Sequence, residues 1–180
     1  LSKKLLDNNF KILISTTTRT SADLFKSIFP KNIVHQYIPY DTPIYVNRFL
    51  SNWNINQAIF VESEIWPNLI IECKHKKIPL LLINARLTKK SFDRWKLVKG
   101  SMKYLLNCFE FTIPQNLTTL KRLEELGAKN NLYFGNIKHD AKKLPINKGR
   151  INKIKESISG KNLLLATSTH QGEEEIIFSL

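Results

Sequence analysis

The sequence predicts an α/β fold in which a parallel β-sheet is covered by helices on both faces. Short apolar runs rich in β-branched residues alternate with longer helical patterns, which is typical of successive βαβ units. The run at residues 78–85 is almost entirely apolar, as expected for a central strand that is buried on both faces. Hydrophobic residues make up 42% of the chain and charged residues 24%, so the chain can bury a substantial core.

The first half of the chain contains three strand patterns with helices between them. A helix is predicted over residues 21–29, after a turn rich in Ser and Thr. Thr42 is suited to the N-cap of the next helix, with Pro43 at its first helical position. Pro67 is placed in the same way, at the start of a helix that runs to about Lys74. The predicted strands are KILIST (11–16), IVHQYIP (33–39) and QAIFVE (57–62).

The second half continues the alternation after the central strand. A helix is predicted over residues 90–106, and its apolar stripe is expected to face the core. The strand FEFTI (109–113) is followed by a helix that Gly127 closes as a C-cap. NLYFGNIKHD (131–140) is predicted to be the last strand and loop of this set. The apolar stripe consists of Phe92, Trp95, Val98, Met102 and Leu105.

Composition shifts divide the chain into two parts. Residues 1–140 are expected to form a Rossmann-like domain, and the basic stretch 141–150, with Pro and Gly, is predicted to be a linker. Residues 151–180 begin a second α/β unit, with a helix at 151–159 and a strand at 162–170. Helix-like patterns at both ends of the chain suggest a truncated sequence, in which the first domain lacks its first strand and the start of a helix.

The chain is strongly basic. It has 28 Lys and Arg against 15 Asp and Glu, a formal charge of +13, which favours anionic partners such as nucleic acid, anionic lipid or phosphorylated substrates. The same excess is compatible with ordinary solvated surface. Cys73 and Cys108 lie in apolar patterns, which indicates buried free thiols rather than a disulfide.

Polar residues follow several of the predicted strands, at the sheet edge where open α/β folds bind ligands. Glu62 and Glu64 leave one strand two residues apart, so they point the same way if the extended backbone persists. Such carboxylates can accept a proton or stabilise a cationic centre. The alternative is that both cap the helix that begins near Pro67.

Basic and amide side chains at the other strand ends are candidates for binding an anionic substrate. Arg86 follows the central strand beside Asn84, and a guanidinium can hold a carboxylate or phosphate through two hydrogen bonds. A salt bridge to a neighbouring loop is the alternative for Arg86. Arg19 lies in the loop after the first strand, and Lys138 lies in GNIKHD, where Gly135 permits a close approach to a ligand.

The loop ATSTHQGEEE is a candidate phosphate-binding turn in the second unit. Ser168, Thr169 and His170 precede a helix start, where hydroxyls and backbone amides can bind phosphate, unless the glutamates that follow already satisfy them. The sequence contains no P-loop, dinucleotide-binding or zinc-protease motif, and its four histidines lack metal-ligand spacing. No metal site is therefore expected.

Taken together, these loops resemble the Kdo (3-deoxy-D-manno-octulosonic acid) transferases of lipopolysaccharide assembly. The resemblance implies a two-domain GT-B glycosyltransferase that needs no cofactor and transfers Kdo from CMP-Kdo to a lipid IVA-type acceptor, at the cytoplasmic face of the bacterial inner membrane. The acceptor would bind to the N-terminal domain, and CMP-Kdo mainly to the C-terminal one. The matching segments are YIPYDTP (37–43), VESEIWPNLI (61–70), INARLTKKSF (83–92), GNIKHD (135–140) and ATSTHQGEEE (166–175).

Carried onto this chain, the family's second essential glutamate corresponds to Glu62, and its transition-state-stabilising lysine to Lys138. Glu64, Asn84 and Arg86 would support them or contact the acceptor. The resemblance also implies that the catalytic base and a membrane anchor lie upstream of residue 1, so this segment is expected to be inactive alone. The alternatives are another GT-B enzyme of envelope biosynthesis and, more remotely, a basic nucleic-acid-binding module, which would need exposed aromatic residues.

Overall fold

The computed structural model describes residues 2–29, 33–140, 147–160 and 164–178. The chain divides into two compact units, Leu1–His139 and Asp140–Leu180. A short 3-10 helix, Ile137–Asp140, includes the last three residues of the first unit. The other elements of this unit are, in chain order, α1 Ser2–Asp7, β1 Leu13–Thr16, α2 Arg19–Ile28, β2 Val34–Tyr37, α3 Pro43–Trp53, β3 Ala58–Val61, α4 Pro67–His75, β4 Leu80–Ala85, α5 Lys89–Leu97, α6 Lys99–Leu106, β5 Phe111–Pro114 and α7 Leu117–Glu125.

All five strands of the first unit pair in parallel. β1 pairs with β2, and β3, β4 and β5 form a second sheet in that order. At least one helix connects each pair of successive strands, as parallel pairing requires. The predicted α/β class with Rossmann-like parallel strands is therefore confirmed.

The two sheets have a cavity between them. Among the described residues β1 pairs only with β2 and β3 only with β4, so each has one unpaired edge. Residues of both strands line a cavity of about 380 Å³, together with residues of α3 and α4. The lining includes Leu13 and Ser15 from β1, Ala58 and Phe60 from β3, and Leu69 from α4.

The core lies around β4, where Leu80 and Leu82 are buried, but Leu81 and Ile83 are half-buried, so the predicted burial on both faces is only partly met. Leu80 and Leu82 are 0% and 1% exposed, and Ile70 of α4 and Met102 of α6 are equally buried. Each such side chain contributes about 1.5–3 kcal/mol when it is fully buried. The stable centre of the unit is therefore the cluster that β4 forms with buried side chains of α4 and α6.

Both cysteines are buried free thiols, as predicted. Burial, assisted by the nearby charge of Glu72, raises the pKa of Cys73 to about 12. Burial also raises the pKa of Cys108 above its usual value, although Lys74 opposes this shift. Both groups are therefore neutral at physiological pH.

Two elements of the first unit differ from the sequence prediction. The single helix expected over residues 90–106 is two helices, because the backbone leaves the helical region at Val98 (φ −122°, ψ 43°) and Gly100, a poor helix former, follows. Val98 is consequently 49% exposed instead of joining the buried stripe. The strand predicted within residues 131–140 is reduced to one bridge between Asn131 and Thr112. Residues 132–134 form no strand, and the backbone is left-handed at Gly135, where φ is +84°.

The second unit contains two helices in its described part, α8 Lys148–Ser157 and α9 Glu173–Phe178. Residues 148–150, predicted to end the linker, are the first residues of α8. Positions 141–146 of the predicted linker lie outside the described residues. The strand expected at residues 162–170 is not formed over its described part. Leu164 and Leu165 are 74% and 76% exposed there, and no described strand pairs with them. Within the ranges given above, no helix has the length and apolar character needed to cross a membrane.

Candidate functional site

Two side chains that are distant in sequence meet at the carboxyl end of β3. Glu62 follows this strand directly, and Lys138 lies in the 3-10 helix at the end of the unit. The lysine Nζ is 2.6 Å from the Oε1 atom of the glutamate. The side chains are 64% exposed for Lys138 and 33% for Glu62, so a ligand can reach the pair from solvent.

The backbone of Glu62 is held in an unusual conformation by the strand beside it. Its N–H donates to the carbonyl oxygen of Ile83 (3.0 Å), and its own carbonyl accepts from the N–H of Arg86 (3.3 Å). Between these bonds the residue has φ +61°, a left-handed conformation that costs roughly 1–2 kcal/mol for a residue other than glycine. Backbone strain of this kind is concentrated at functional sites.

This conformation changes the relation predicted between Glu62 and Glu64. They were expected to point the same way if the backbone stayed extended, but it is not extended at Glu62. The side chains also have different partners. Glu64 accepts a hydrogen bond from the indole Nε1 of Trp66 (2.6 Å), whereas Glu62 binds Lys138. The described contacts therefore give the two carboxylates separate surroundings.

Neither glutamate caps α4, so the capping alternative is wrong. The N–H of Asn68 donates to Oδ2 of Asp41 (3.1 Å), and the N–H of Leu69 donates to Oδ1 (2.8 Å). The side-chain amide of Asn68 also donates to the Asp41 carbonyl (2.6 Å). Sequence reasoning missed Asp41, although Trp66 at the N-cap position offers no acceptor and the first turn of α4 has no acidic residue. These features indicated that an acceptor must come from elsewhere in the chain.

Asn84 is fully buried, so it does not present its amide to a substrate. Its Oδ1 accepts from the backbone N–H of Ile137 (3.2 Å), and its Nδ2 has no hydrogen-bond partner among the described residues. Arg86 has an exposed side chain and forms no ion pair in the described part of the chain, so the predicted salt bridge is not seen there. Its guanidinium is accessible to an anionic ligand.

Arg19 is the first residue of α2 and is exposed. The cap of this helix is Thr18, whose side chain accepts from the N–H of Ser21 (3.2 Å). The described contacts do not connect Arg19 with Glu62 or Lys138. Its predicted part in substrate binding therefore has no structural support beyond its accessibility.

In the second unit, glutamates of α9 accept hydrogen bonds from polar groups that were predicted to bind phosphate. The Thr169 hydroxyl donates to Glu174 (2.7 Å), and the His170 backbone N–H donates to Glu173 (2.9 Å). Ser168, next to them, is exposed and has a left-handed backbone (φ +57°). These contacts follow the alternative in which the acidic residues satisfy the helix start themselves.

A second exposed lysine–glutamate pair, remote in the fold, provides a comparison for the first. Lys96 of α5 donates to Glu125 of α7 over 2.8 Å. The hydrogen bond from this lysine lowers the pKa of Glu125, and the same bond raises the pKa of Lys96. Glu125 is the last residue of α7, whereas Glu62 lies at the carboxyl end of a strand.

A family model described as 3-deoxy-D-manno-octulosonic-acid transferase (kdotransferase) matches residues 1–141 of the chain. Three curated 3-deoxy-D-manno-octulosonic acid transferases are similar. The chain is 38% identical to that of Rickettsia bellii over 170 residues (94% of the chain, 40% of the relative). It is 36% identical to that of Rickettsia felis (100% of the chain, 38% of the relative) and 32% identical to that of Haemophilus influenzae (94% of the chain, 40% of the relative). The chain thus spans about two fifths of the length of the curated relatives it matches.

Proposed function

The chain belongs to the 3-deoxy-D-manno-octulosonic acid (Kdo) transferase family of glycosyltransferases, and from this premise we propose that the complete protein transfers Kdo from CMP-Kdo to a lipid A precursor of the lipid IVA type. In this proposal residues 1–140 form the acceptor-side domain, and residues 151–180 begin the nucleotide-sugar domain. The observation that carries the proposal to particular residues is the contact between Glu62 and Lys138 at the carboxyl end of β3.

The proposed transfer is a direct displacement. An acceptor hydroxyl oxygen forms a bond to the anomeric carbon of Kdo, while the bond from that carbon to the phosphate oxygen of CMP breaks. CMP leaves with the electron pair of that bond, and a base takes the proton of the hydroxyl. Positive charge develops on the sugar ring and negative charge on the departing phosphate, so the reaction needs a fixed group of each sign.

Glu62 and Lys138 are suited to these two requirements. The carboxylate stabilises the cationic sugar ring, and the ammonium stabilises the phosphate of CMP or the carboxylate of Kdo. Their ion pair holds both charges in place before the donor arrives, which reduces the reorganisation needed during the reaction. Because the ammonium meets the developing negative charge, we expect no metal ion or other cofactor in the step.

Charge-removing variants of the complete protein test the proposal. Glu62→Gln and Lys138→Ala should each fold and lose at least about a hundredfold in the rate of Kdo transfer, the scale expected when a preorganised charge near the reacting atoms is removed. The matched controls are Glu125→Gln and Lys96→Ala, which break an exposed pair of similar length outside the site. Near-normal transfer by both Glu62 and Lys138 variants would exclude the pair from the mechanism.

We further propose that the protein acts at an anionic membrane surface, the cytoplasmic face of the bacterial inner membrane, where a lipid acceptor resides. The supporting surface lies at the junction of α5 and α6. Leu97 is 86% exposed there and Val98 49%, and both are flanked by exposed basic residues that would be attracted to anionic lipid. These residues are Lys89, Lys90, Arg94 and Lys99, whereas Lys96 is paired with Glu125.

A further inference from the structure

The contacts of Asn84 point to a task other than substrate binding. We propose that Asn84 is a positioning residue that holds Lys138 against Glu62 by fixing the backbone of Ile137. The significance of this task for catalysis rests on the proposed function, but the task itself is a property of the fold.

Both members of the ion pair are attached to the end of β4. The backbone of Glu62 is bonded on one side to Ile83 and on the other to Arg86. Asn84 lies between these two residues, and its side chain accepts from the N–H of Ile137, the residue before Lys138. One short segment, residues 83–86, therefore orients the carboxylate through the backbone and the ammonium through the Asn84 side chain.

The chain around Lys138 adds local constraints, and its described hydrogen bonds include no second connection to the sheet. Its N–H donates to Oδ1 of Asn136 (3.0 Å), and the N–H of His139 donates to the carbonyl of Asn136 (3.0 Å). These bonds join neighbours within the turn, so they shape it without locating it. Among the described hydrogen bonds, the one from Ile137 to Asn84 connects this turn to β4.

Asparagine meets two requirements at this position. The residue has φ +51°, and the register between β4 and β5 shifts between Ile83 and Ala85, so the backbone here must be left-handed. Asparagine adopts this conformation more readily than most residues. Its amide oxygen must face the N–H of Ile137, because the amide nitrogen would place a donor against a donor. Nδ2 is then buried with no partner among the residues that the structure describes, and this unfavourable arrangement indicates that the contact at Oδ1 determines the orientation.

Two substitutions separate these requirements. Asn84→Gly keeps the left-handed backbone, which glycine adopts without strain, and removes the acceptor for Ile137. Asn84→Asp keeps an acceptor oxygen of the same reach and replaces the unpaired amide nitrogen by a second oxygen, which carries negative charge when the carboxyl is ionised. A residue that merely shaped the backbone would be replaceable by glycine, whereas a positioning residue would be rescued by aspartate.

Carbodiimide crosslinking of the 180-residue chain measures the contact without any enzyme assay. The reagent joins a carboxylate to an amine only when they touch, and peptide mapping then quantifies the Glu62–Lys138 product. The Lys96–Glu125 pair gives a second crosslink in the same digest, which reports whether the fold is intact. Hydrogen exchange at the amide of Ile137 reports its bond to Asn84 directly.

Asn84→Gly should lower the yield of the Glu62–Lys138 crosslink at least about fivefold and speed exchange at Ile137 at least about tenfold, with the Lys96–Glu125 crosslink unchanged. Asn84→Asp should keep both values near those of the wild type. An unchanged Glu62–Lys138 yield in the glycine variant would overturn the proposal. An equal loss of both crosslinks would also overturn it, because Asn84 would then act on the whole fold. A Glu62–Lys138 crosslink yield in the aspartate variant no higher than in the glycine variant would overturn it as well.

In the complete protein, Asn84→Gly should lower kcat for Kdo transfer more than it raises KM, because the ammonium is misplaced rather than removed. This arm separates the two proposals. If Glu62→Gln and Lys138→Ala leave transfer intact, the proposed function of the pair fails, while the crosslink ratio still decides whether Asn84 positions it.

Discussion

The carboxylate of Asp41 is bound by the first turn of α4, and its removal should destabilise the chain by an amount that the structure allows to be worked out. Pro67 at the start of this helix has no N–H, so the next free donors are those of Asn68 and Leu69, and both bind Asp41. Asp41→Ala leaves these two amides without their acceptor. The residue lies 27 positions before Asn68, so the bond also fixes the loop before α3 against α4.

The expected loss follows from the two bonds. Replacing a helix-capping side chain by alanine costs about 0.5–2 kcal/mol, and a hydrogen bond to a charged group contributes about 1.5–3 kcal/mol. Because the site is only partly buried, we expect Asp41→Ala to lower the free energy of unfolding by about 2–3 kcal/mol. For a chain of this size the melting temperature should fall by about 5–10 °C.

Urea unfolding followed by circular dichroism measures this loss, and the neighbouring residue supplies the control. Thr42 occupies the N-cap position of α3, but its side chain makes no capping hydrogen bond. Thr42→Ala should therefore change the free energy of unfolding by less than about 0.5 kcal/mol. A cost for Asp41→Ala no larger than that for Thr42→Ala would refute the assignment of Asp41 as the cap of α4.

Two further predictions concern backbone conformation and thiol ionisation. Gly127→Ala should destabilise the chain by about 1–2 kcal/mol in urea unfolding, because φ is +95° there and a Cβ would lie 2.7 Å from Cγ of Lys103. Gly100→Ala should instead stabilise it by about 0.5–1 kcal/mol, since this helical position has open space, and an equal effect at both glycines would contradict the reasoning. The unfolding free energy should also fall above pH 9, the ordinary pKa of a thiol, because the unfolded state then loses the proton that buried Cys73 keeps up to about pH 12. This contribution is fully present below pH 9 and is smaller by about 1.4 kcal/mol at pH 10, so Cys73→Ala should show a shallower decline in the same titration.

Elements with a strong local signal were predictable from the sequence. The apolar run of β4 indicated a central strand, and Pro43 and Pro67 marked the starts of α3 and α4 to the residue. The break at Val98 was missed, because the apolar stripe continues through it. Gly100, a poor helix former, was a local signal against one continuous helix, but a single glycine does not by itself end a helix.

The candidate site was predictable in its members but not in its connections. Strand-end position and resemblance selected Glu62 and Lys138, and the structure brings them into contact. Their roles in the reaction stay predictions. The burial of Asn84 and the contribution of Asp41 depend on pairings across 53 and 27 residues, respectively, which no local pattern encodes. Asp41 alone left an indirect signal, in the missing acceptor at the N-terminus of α4.

The left-handed backbone of Glu62 and Asn84 has a consequence for directed evolution. Glycine would relieve the conformational cost at Glu62, so a screen for thermal stability alone would favour its appearance there, whereas at Asn84 it would also leave the Ile137 N–H without its acceptor. At Glu62 that change would delete the carboxylate. A library selected only for heat resistance would therefore tend to lose this strand end first, and its survivors would be well-folded chains that lack the paired charges.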